Sequence, residues 1–362
     1  MNYYSSMDGL NDILQCKWND ALSTSNTSSD KKREFPNGKG NILDSYHSFE
    51  DEMNRSWHQN VNLGAAVSGD QLLTDHGVKH IKSVISHAKD ILTDVNQLNG
   101  YEIYLLLLSI HFHDLGNISG RENHEQKIAE IIDKMGGTLP LDTSEKELVT
   151  SISTAHGGYI DGNKDTIRQV SSDTFYDGVK IQPRVLASIL RFADEISDDF
   201  NRSDFEGIEI PHENEVYHEY SKALMPVSIL GETIKFSFRI PYDLTQKKLG
   251  KGKEEVFLYD EILERMSKCM RELEYCKKYA NGLIKPTTLD IKIDVLKKES
   301  SFQIIKDMGD SFRLTLHGYP NKNTSGLTDY LDMDDDSTDG IKSLKYKDGN
   351  SLCKAIQENG RH

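Results

Sequence analysis

The sequence predicts a mainly α protein: a helical bundle, then a small α+β subdomain and a disordered acidic tail. Three observations predict it. Residues 101–114, YEIYLLLLSIHFHD, are apolar on nearly every face of a helix. Amphipathic helical periodicity recurs on both sides of that stretch. Beyond Ile210 the pattern changes to strict alternation, in TIKFSFRI and TLDIKIDVL. The expected divisions are an N-terminal segment with a polar loop over 1–60, a helical domain over 61–210, an α+β subdomain over 211–320 and an acidic tail over 321–362.

In order along the chain, the first segment offers a short helix near 11–22 and then the polar loop STSNTSSDKKREFPNGKGN. Residues 77–93 place Val78, Ile81, Ile85, Ala88 and Leu92 on one helical face. His76, His80 and His87 fall at i, i+4 and i+11, within roughly 40° of one another at 100° per residue. Such a stripe is either the wall of a polar pocket or a solvated, His-rich edge. The buried helix follows and ends in His113-Asp114. A buried carboxylate without a partner is costly, and protonation would leave a polar group still wanting hydrogen bonds. A metal cation resolves this most simply; the alternative, much the commoner for an isolated His-Asp pair, is a helix cap in which the two residues only pair with each other.

Ser119 and Glu122 predict a capping box opening a helix with His124 in its first turn and Ile128, Ile131 and Ile132 on its core side. Asp142 and Glu145 repeat the signature for a helix that ends at His156, before Gly157-Gly158. In PRVLASILRFADEISDDF, Pro183 suits a first helical turn and Val185, Ile189, Phe192, Ala193 and Ile196 form the buried side. Arg191, Asp194, Glu195 and Asp198 lie opposite, a stripe that alone reads as a solvated face with internal ion pairs. The α+β part begins with a hairpin, PVSILGETIKFSFRI, turning at Gly231-Glu232. A long helix over 253–280 is capped by Asn281-Gly282, and TLDIKIDVL and SFRLTLHGY are strands. His218, Tyr220 and Lys222, in YHEYSKAL, mix aromatic, basic and titratable groups and are candidate substrate or regulatory contacts; the segment itself reads as a partly exposed edge strand. From 321 the chain is polar, with the acidic run DMDDDSTDG, and reads as disordered.

Composition narrows the function. Hydrophobic content of 36% and charged content of 28% suit a soluble globular protein. No apolar run approaches the ~20 residues that span a bilayer, and MNYYSSMDGL lacks the features of a secretory signal. No membrane partner and a cytoplasmic location are expected. The net charge of −15 argues against an extended nucleic-acid partner, because phosphate-backbone affinity comes from clustered Lys and Arg. It leaves room for a nucleotide held by a few basic residues and a metal. Cys16, Cys269, Cys276 and Cys353 have no metal-ligand spacing and read as reduced thiols.

Taken together, His80, His113-Asp114 and Asp194 give the order His, His-Asp, Asp on separate helices. With their contexts TDHGVKHIKSVISHA, IHFHDLGN and ILRFADEISDDFNR, they resemble the HD-domain metal-dependent phosphohydrolase superfamily over roughly residues 75–202. The resemblance implies a helical HD-domain bundle with His80, His113, Asp114 and Asp194 as metal ligands. It places His124 and His156 where two-metal members carry additional histidines and where one-metal members use acid, base or phosphate contacts. His76 would sit one turn before the first ligand and could contact substrate. Arg191 and Arg202 flank the last aspartate as phosphate clamps or as ion-pair partners of Glu195 and Asp198. Histidine and carboxylate donors suit one or two ions of Mn²⁺, Mg²⁺, Fe²⁺, Co²⁺ or Ni²⁺, which polarise phosphoryl oxygen and acidify bound water.

Within that superfamily the layout resembles deoxynucleoside triphosphate triphosphohydrolases and the HD proteins of bacterial conflict systems. The implied activity is cleavage of a dNTP to deoxynucleoside and triphosphate in antiviral defence, by a homo-oligomer that a second nucleotide regulates. One departure stands against that substrate: where many such enzymes continue with a histidine after His-Asp-Leu-Gly, this chain has Asn117. The alternatives are a phosphodiesterase acting on a cyclic or linear oligonucleotide signal, which a two-metal site would favour, and a catalytically silent nucleotide sensor.

Overall fold

A computed structural model describes residues 9–23, 33–61, 77–120, 123–136, 139, 141–160, 162–198, 210–298, 303–317, 326–331 and 344–359. The chain divides into two compact units. The first includes His76–Ser197 and Tyr275–Lys285; the second includes Asp198–Glu274 and Pro286–His362.

The first unit is helical. Its described helices are α1 (Leu10–Ser23), α2 (Ile42–Glu52), α3 (Val78–Asp90), α4 (Gly100–Phe112), α5 (His124–Met135), α6 (Thr143–Thr154) and α7 (Pro183–Glu195). A π-helical turn, Met53–Trp57, extends α2. Helix α4 is the centre: every residue from Gly100 to Phe112 is buried, and it packs against α1, α2, α3, α6 and α7. Shortening one of its leucines, such as Leu107, to alanine would cost about 2–5 kcal/mol of stability.

The start of α4 determines where its end lies. Asn99 caps the helix by accepting from Glu102 N at 2.8 Å, while Glu102 accepts from Asn99 N at 2.9 Å. The same two residues reach the start of α7: Glu102 Oε1 accepts from Gln182 N at 2.9 Å, and Asn99 Nδ2 donates to Lys180 O at 2.7 Å. Both helices have 13 residues, about 20 Å at 1.5 Å per residue. Starting side by side, they deliver His113-Asp114 and Asp194 to one place.

Two caps differ in outcome. The box of Asp142 and Glu145 forms, with bonds of 3.0 and 2.9 Å. The box expected from Ser119 does not: Ser119 closes a 3₁₀ turn, Leu115–Ser119, and Gly120 (φ +93) and Asn123 (φ +52) redirect the chain so that α5 opens at His124. Glu122 lies outside the described residues. A small hairpin pairs β1 (Thr174–Tyr176) with β2 (Val179–Ile181), its turn made by Asp177 and Gly178 at positive φ.

The second unit carries a four-stranded sheet in the order β3-β4-β7-β8. Its strands are β3 (Ser228–Leu230), β4 (Thr233–Ile240), β7 (Thr288–Val295) and β8 (Asp310–Thr315). A second small hairpin pairs β5 (Leu249–Lys251) with β6 (Glu254–Val256). The pair β4/β7 is parallel and the outer pairs are antiparallel. Alternation is the cause: Ile234, Phe236, Phe238 and Ile240 are buried on one face, as are Leu289, Ile291, Ile293 and Val295. A parallel pair needs a long crossover, and helix α9 (Leu258–Tyr279) lies in that connection.

Two expectations are corrected here. YHEYSKAL is not an edge strand but part of α8 (Glu215–Ala223), with His218 and Tyr220 buried and Lys222 paired to Glu219 at 2.8 Å. Its apolar and aromatic groups fall at helical spacing, Val216, Tyr220 and Ala223. The stretch 321–362 is not disordered throughout: α10 (Gly349–Asn359) buries Leu352, Cys353 and Ile356. The acidic run itself lies outside the described residues. Among the described residues the cysteines are free thiols, and no helix is long and apolar enough to cross a membrane.

Candidate metal centre

Four polar side chains converge in the first unit. His80 comes from the first turn of α3, His113 and Asp114 from the end of α4, and Asp194 from the end of α7. His80 Nε2 lies 3.1 Å from Asp194 Oδ1 and 3.6 Å from Asp114 Oδ2. His113 Nε2 lies 3.3 Å from Asp114 Oδ2, 3.5 Å from Asp194 Oδ1 and 3.4 Å from His80 Nε2. Ligands bound at ~2.1 Å to one first-row cation stand roughly 3.0–3.4 Å apart. The cluster has the dimensions of such a coordination shell.

A second cluster shares one residue with the first. Asp114 turns its other oxygen, Oδ1, to His124 Nε2 at 3.4 Å and His156 Nε2 at 3.8 Å, and the two imidazole nitrogens are 3.4 Å apart. Both sets have the residue types and mutual spacing to hold a cation. His124 is the first residue of α5 and His156 follows the end of α6. Gly116 brings the former in: a Cβ there would stand 1.8 Å from the carbonyl oxygen of His124, so the His-Asp turn and the start of α5 touch backbone to backbone.

Hydrogen bonds fix which nitrogen each histidine presents. His113 Nδ1 donates to Ile110 O at 2.7 Å, and His156 Nδ1 donates to Ser153 O at 2.6 Å. Carbonyl oxygens only accept, so Nδ1 carries a proton and Nε2 faces the cluster, the nitrogen that the neutral ring would offer to a metal. His124 Nδ1 is 3.4 Å from Glu125 Oε2, a carboxylate behind the imidazole. Asn117 donates from Nδ2 to Asp114 Oδ1 at 3.1 Å. Its own Oδ1 is buried and has no hydrogen-bond partner, an orphaned acceptor beside the second cluster. The buried carboxylate of Asp114, the partly exposed one of Asp194, the imidazole nitrogens and an orphaned acceptor all ask for positive charge, so the residues fit a divalent cation.

The electrostatics of the metal-free site point the same way. Burial opposes a charge on His113, but Asp114 and Asp194 outweigh it and hold its pKa well above the usual imidazole value. Burial opposes the charge on Asp194 too, yet bonds from His113 and His80 hold its carboxyl well below the usual range. His156 goes the other way, down to about 4, through burial and the neighbouring His113 charge. A proton on His113 thus does part of what a cation would do.

Behind the centre, His58 Nε2 and His111 Nδ1 are 3.0 Å apart and Tyr46 OH reaches His111 Nε2 at 3.4 Å, all buried. Burial, with the His113 charge next in effect, lowers His58 to about 3.

The other sequence candidates fall variously. Arg191 is buried; its Nη1 donates to Thr166 Oγ1 at 2.8 Å and Lys164 O at 3.3 Å, and its guanidinium lies over the Tyr275 ring at 4.6 Å. Asp198 accepts from Arg265 Nη1 at 2.8 Å. Lys222 belongs to the second unit. His76 and Arg202 lie outside the described residues. Sequence reasoning missed Glu125, Gly116 and the bond from Asn117 to Asp114. Only Gly116, following a His-Asp pair, carried a signal that could have found it.

Among known families, HD-CE matches residues 70–249. No curated protein and no solved structure matches the chain.

Proposed function

We propose, from the premise that residues 70–249 form an HD-type domain with a His/Asp cluster suited to a metal-dependent hydrolase, that this chain hydrolyses phosphate esters of nucleotides. The observation that carries this reading is Asp114, whose two carboxylate oxygens face two separate ligand sets. His80, His113, Asp114 and Asp194 would hold one cation, and Asp114, His124 and His156 a second. Bound there, the pair would supply Lewis-acid charge to a phosphoryl group, chemistry suited to displacement at phosphodiesters.

The chain's own residues do the rest. Asp114 ties the two sets together and takes its orientation from Asn117. The carbonyls of Ile110 and Ser153 hold the Nδ1 protons of His113 and His156, so that Nε2 is the nitrogen each ring turns to the cluster. With only the first set loaded, His124 and His156 would instead take or give a proton at Nε2. The shared carboxylate favours the phosphodiesterase reading, with a cyclic or linear oligonucleotide as substrate, over the triphosphohydrolase.

The test is incubation with Mn²⁺ and a panel of dinucleotides, cyclic oligonucleotides and dNTPs, with Asp114→Ala as control. Phosphodiester cleavage lost in the control supports the reading. Deoxynucleoside plus triphosphate supports the triphosphohydrolase, and silence on every substrate supports a nucleotide sensor.

A further inference from the structure

The segment that follows His156 presents an exposed aromatic ring three residues after that ligand candidate. Tyr159 is 58% exposed, and three residues after His156 its Cα lies at most about 11 Å from that of the histidine. Burial does not explain a ring more than half in water, whereas the backbone beneath it is closely held. Gly158, at φ +71, sits against the Glu125 carboxylate, where an added Cβ would approach Oε1 to 3.2 Å. Glu125 in turn backs His124. Ile160 and Asn163 exchange two backbone bonds of 2.9 Å. Thr166 Oγ1 donates to Ala155 O at 2.8 Å and accepts from Arg191. Asp165 accepts from Tyr275 OH at 3.0 Å and Tyr279 OH at 2.8 Å.

The Lys164 ammonium lies 5.2 Å from the centroid of the Tyr159 ring, a cation–π contact that steadies the ring and sets a positive charge beside it on an otherwise acidic chain. An aromatic face on a held turn loses little freedom when it binds a flat ligand. Nucleobases stack on such faces whatever their sequence, because every base has a π surface.

We infer that Tyr159, with Lys164, forms the nucleobase subsite of this centre: the phosphate goes to the His/Asp clusters while an adjoining base stacks on the Tyr159 ring. This rests on the nucleotide-hydrolase reading and adds to it that recognition is by stacking, so that the substrate class is base-bearing phosphates with little discrimination among bases.

The test is calorimetric titration of the full chain in Mn²⁺ with AMP and with ribose 5-phosphate, for wild type, Tyr159→Ala and Tyr159→Phe. The wild type and Tyr159→Phe should bind AMP about ten-fold tighter than ribose 5-phosphate. In Tyr159→Ala that ratio should fall to about one with ribose 5-phosphate affinity unchanged. Equal affinities in the wild type, a ratio retained in Tyr159→Ala, a loss of ribose 5-phosphate binding in that variant, or no binding of AMP would each overturn the inference. Turnover of the dinucleotides, cyclic oligonucleotides and dNTPs by the same preparation is read separately. A stacking preference without any hydrolysis would sink the hydrolase reading and leave the subsite standing, whereas hydrolysis without the preference would do the reverse.

Discussion

The two ligand clusters share Asp114 and yet are built in different ways. The first draws on the first turn of α3 and the ends of α4 and α7, and the starts of α4 and α7 are clamped by Asn99 and Glu102. Its neighbouring donors stand 3.1–3.6 Å apart. The second draws on the first residue of one helix and a residue just past the end of another, with separations up to 3.8 Å. Helix packing builds the first; close backbone approach at Gly116 and one carboxylate at Glu125 build the second. Damage to the second should therefore come from small changes that leave the first intact.

The largest effect is expected where the clusters meet. Asp114→Ala removes a donor from both and should lower turnover by at least about 10³-fold, measured on whichever ester the wild type cleaves. Next comes Gly116→Ala. Its Cβ would fall 1.8 Å from His124 O, a contact that backbone must move to relieve. The second cluster should lose its cation while the first keeps its own, read by electron paramagnetic resonance of bound Mn²⁺. Loss of both would mean that the clusters are not separately built.

Glu125→Gln should be milder. It keeps the shape behind His124 but removes the charge that backs its ring, and second-site affinity for Mn²⁺ should weaken about 10-fold, as for other groups behind metal-bound histidines. An unchanged affinity would remove Glu125 from the account.

Protonation gives a finer contrast, because the histidines of the two clusters shift in opposite directions. His113 is held above its ordinary value, so in metal-free protein its contribution to stability is full below about pH 6.5 and is lost as pH rises through its folded pKa. His156 is lowered to about 4, so its contribution is present above about pH 6.5 and is lost as pH falls towards that value. Loading Mn²⁺ just below neutrality should displace a proton from the first cluster and none from His156. Calorimetry in buffers of differing ionisation enthalpy reads that count.

The same contrast explains what could be read without coordinates. Helix α4 and its His-Asp end were legible because thirteen consecutive buried residues leave no polar face for solvent, and the ligands of the first cluster inherit that order. Asp194 was legible only through the others, since Arg191, Asp194, Glu195 and Asp198 look like any solvated stripe. The second cluster was visible as residue types but not as geometry: His124 and His156 lie 32 residues apart in sequence, and their approach depends on Gly120 and Asn123 turning the chain. Those positive-φ residues also defeated the Ser119 capping box. In the second unit, alternation gave β4 and β7, whereas the helical spacing at YHEYSKAL shows only once Val216, just before it, is counted with Tyr220 and Ala223.

The most direct test of a shared Asp114 is the number of Mn²⁺ ions bound per chain, measured for wild type, His156→Ala and Asp114→Ala in one titration series. The wild type should hold two ions, His156→Ala one, and Asp114→Ala none tightly. A single ion in the wild type, bound as firmly after His156→Ala, would contradict a shared Asp114.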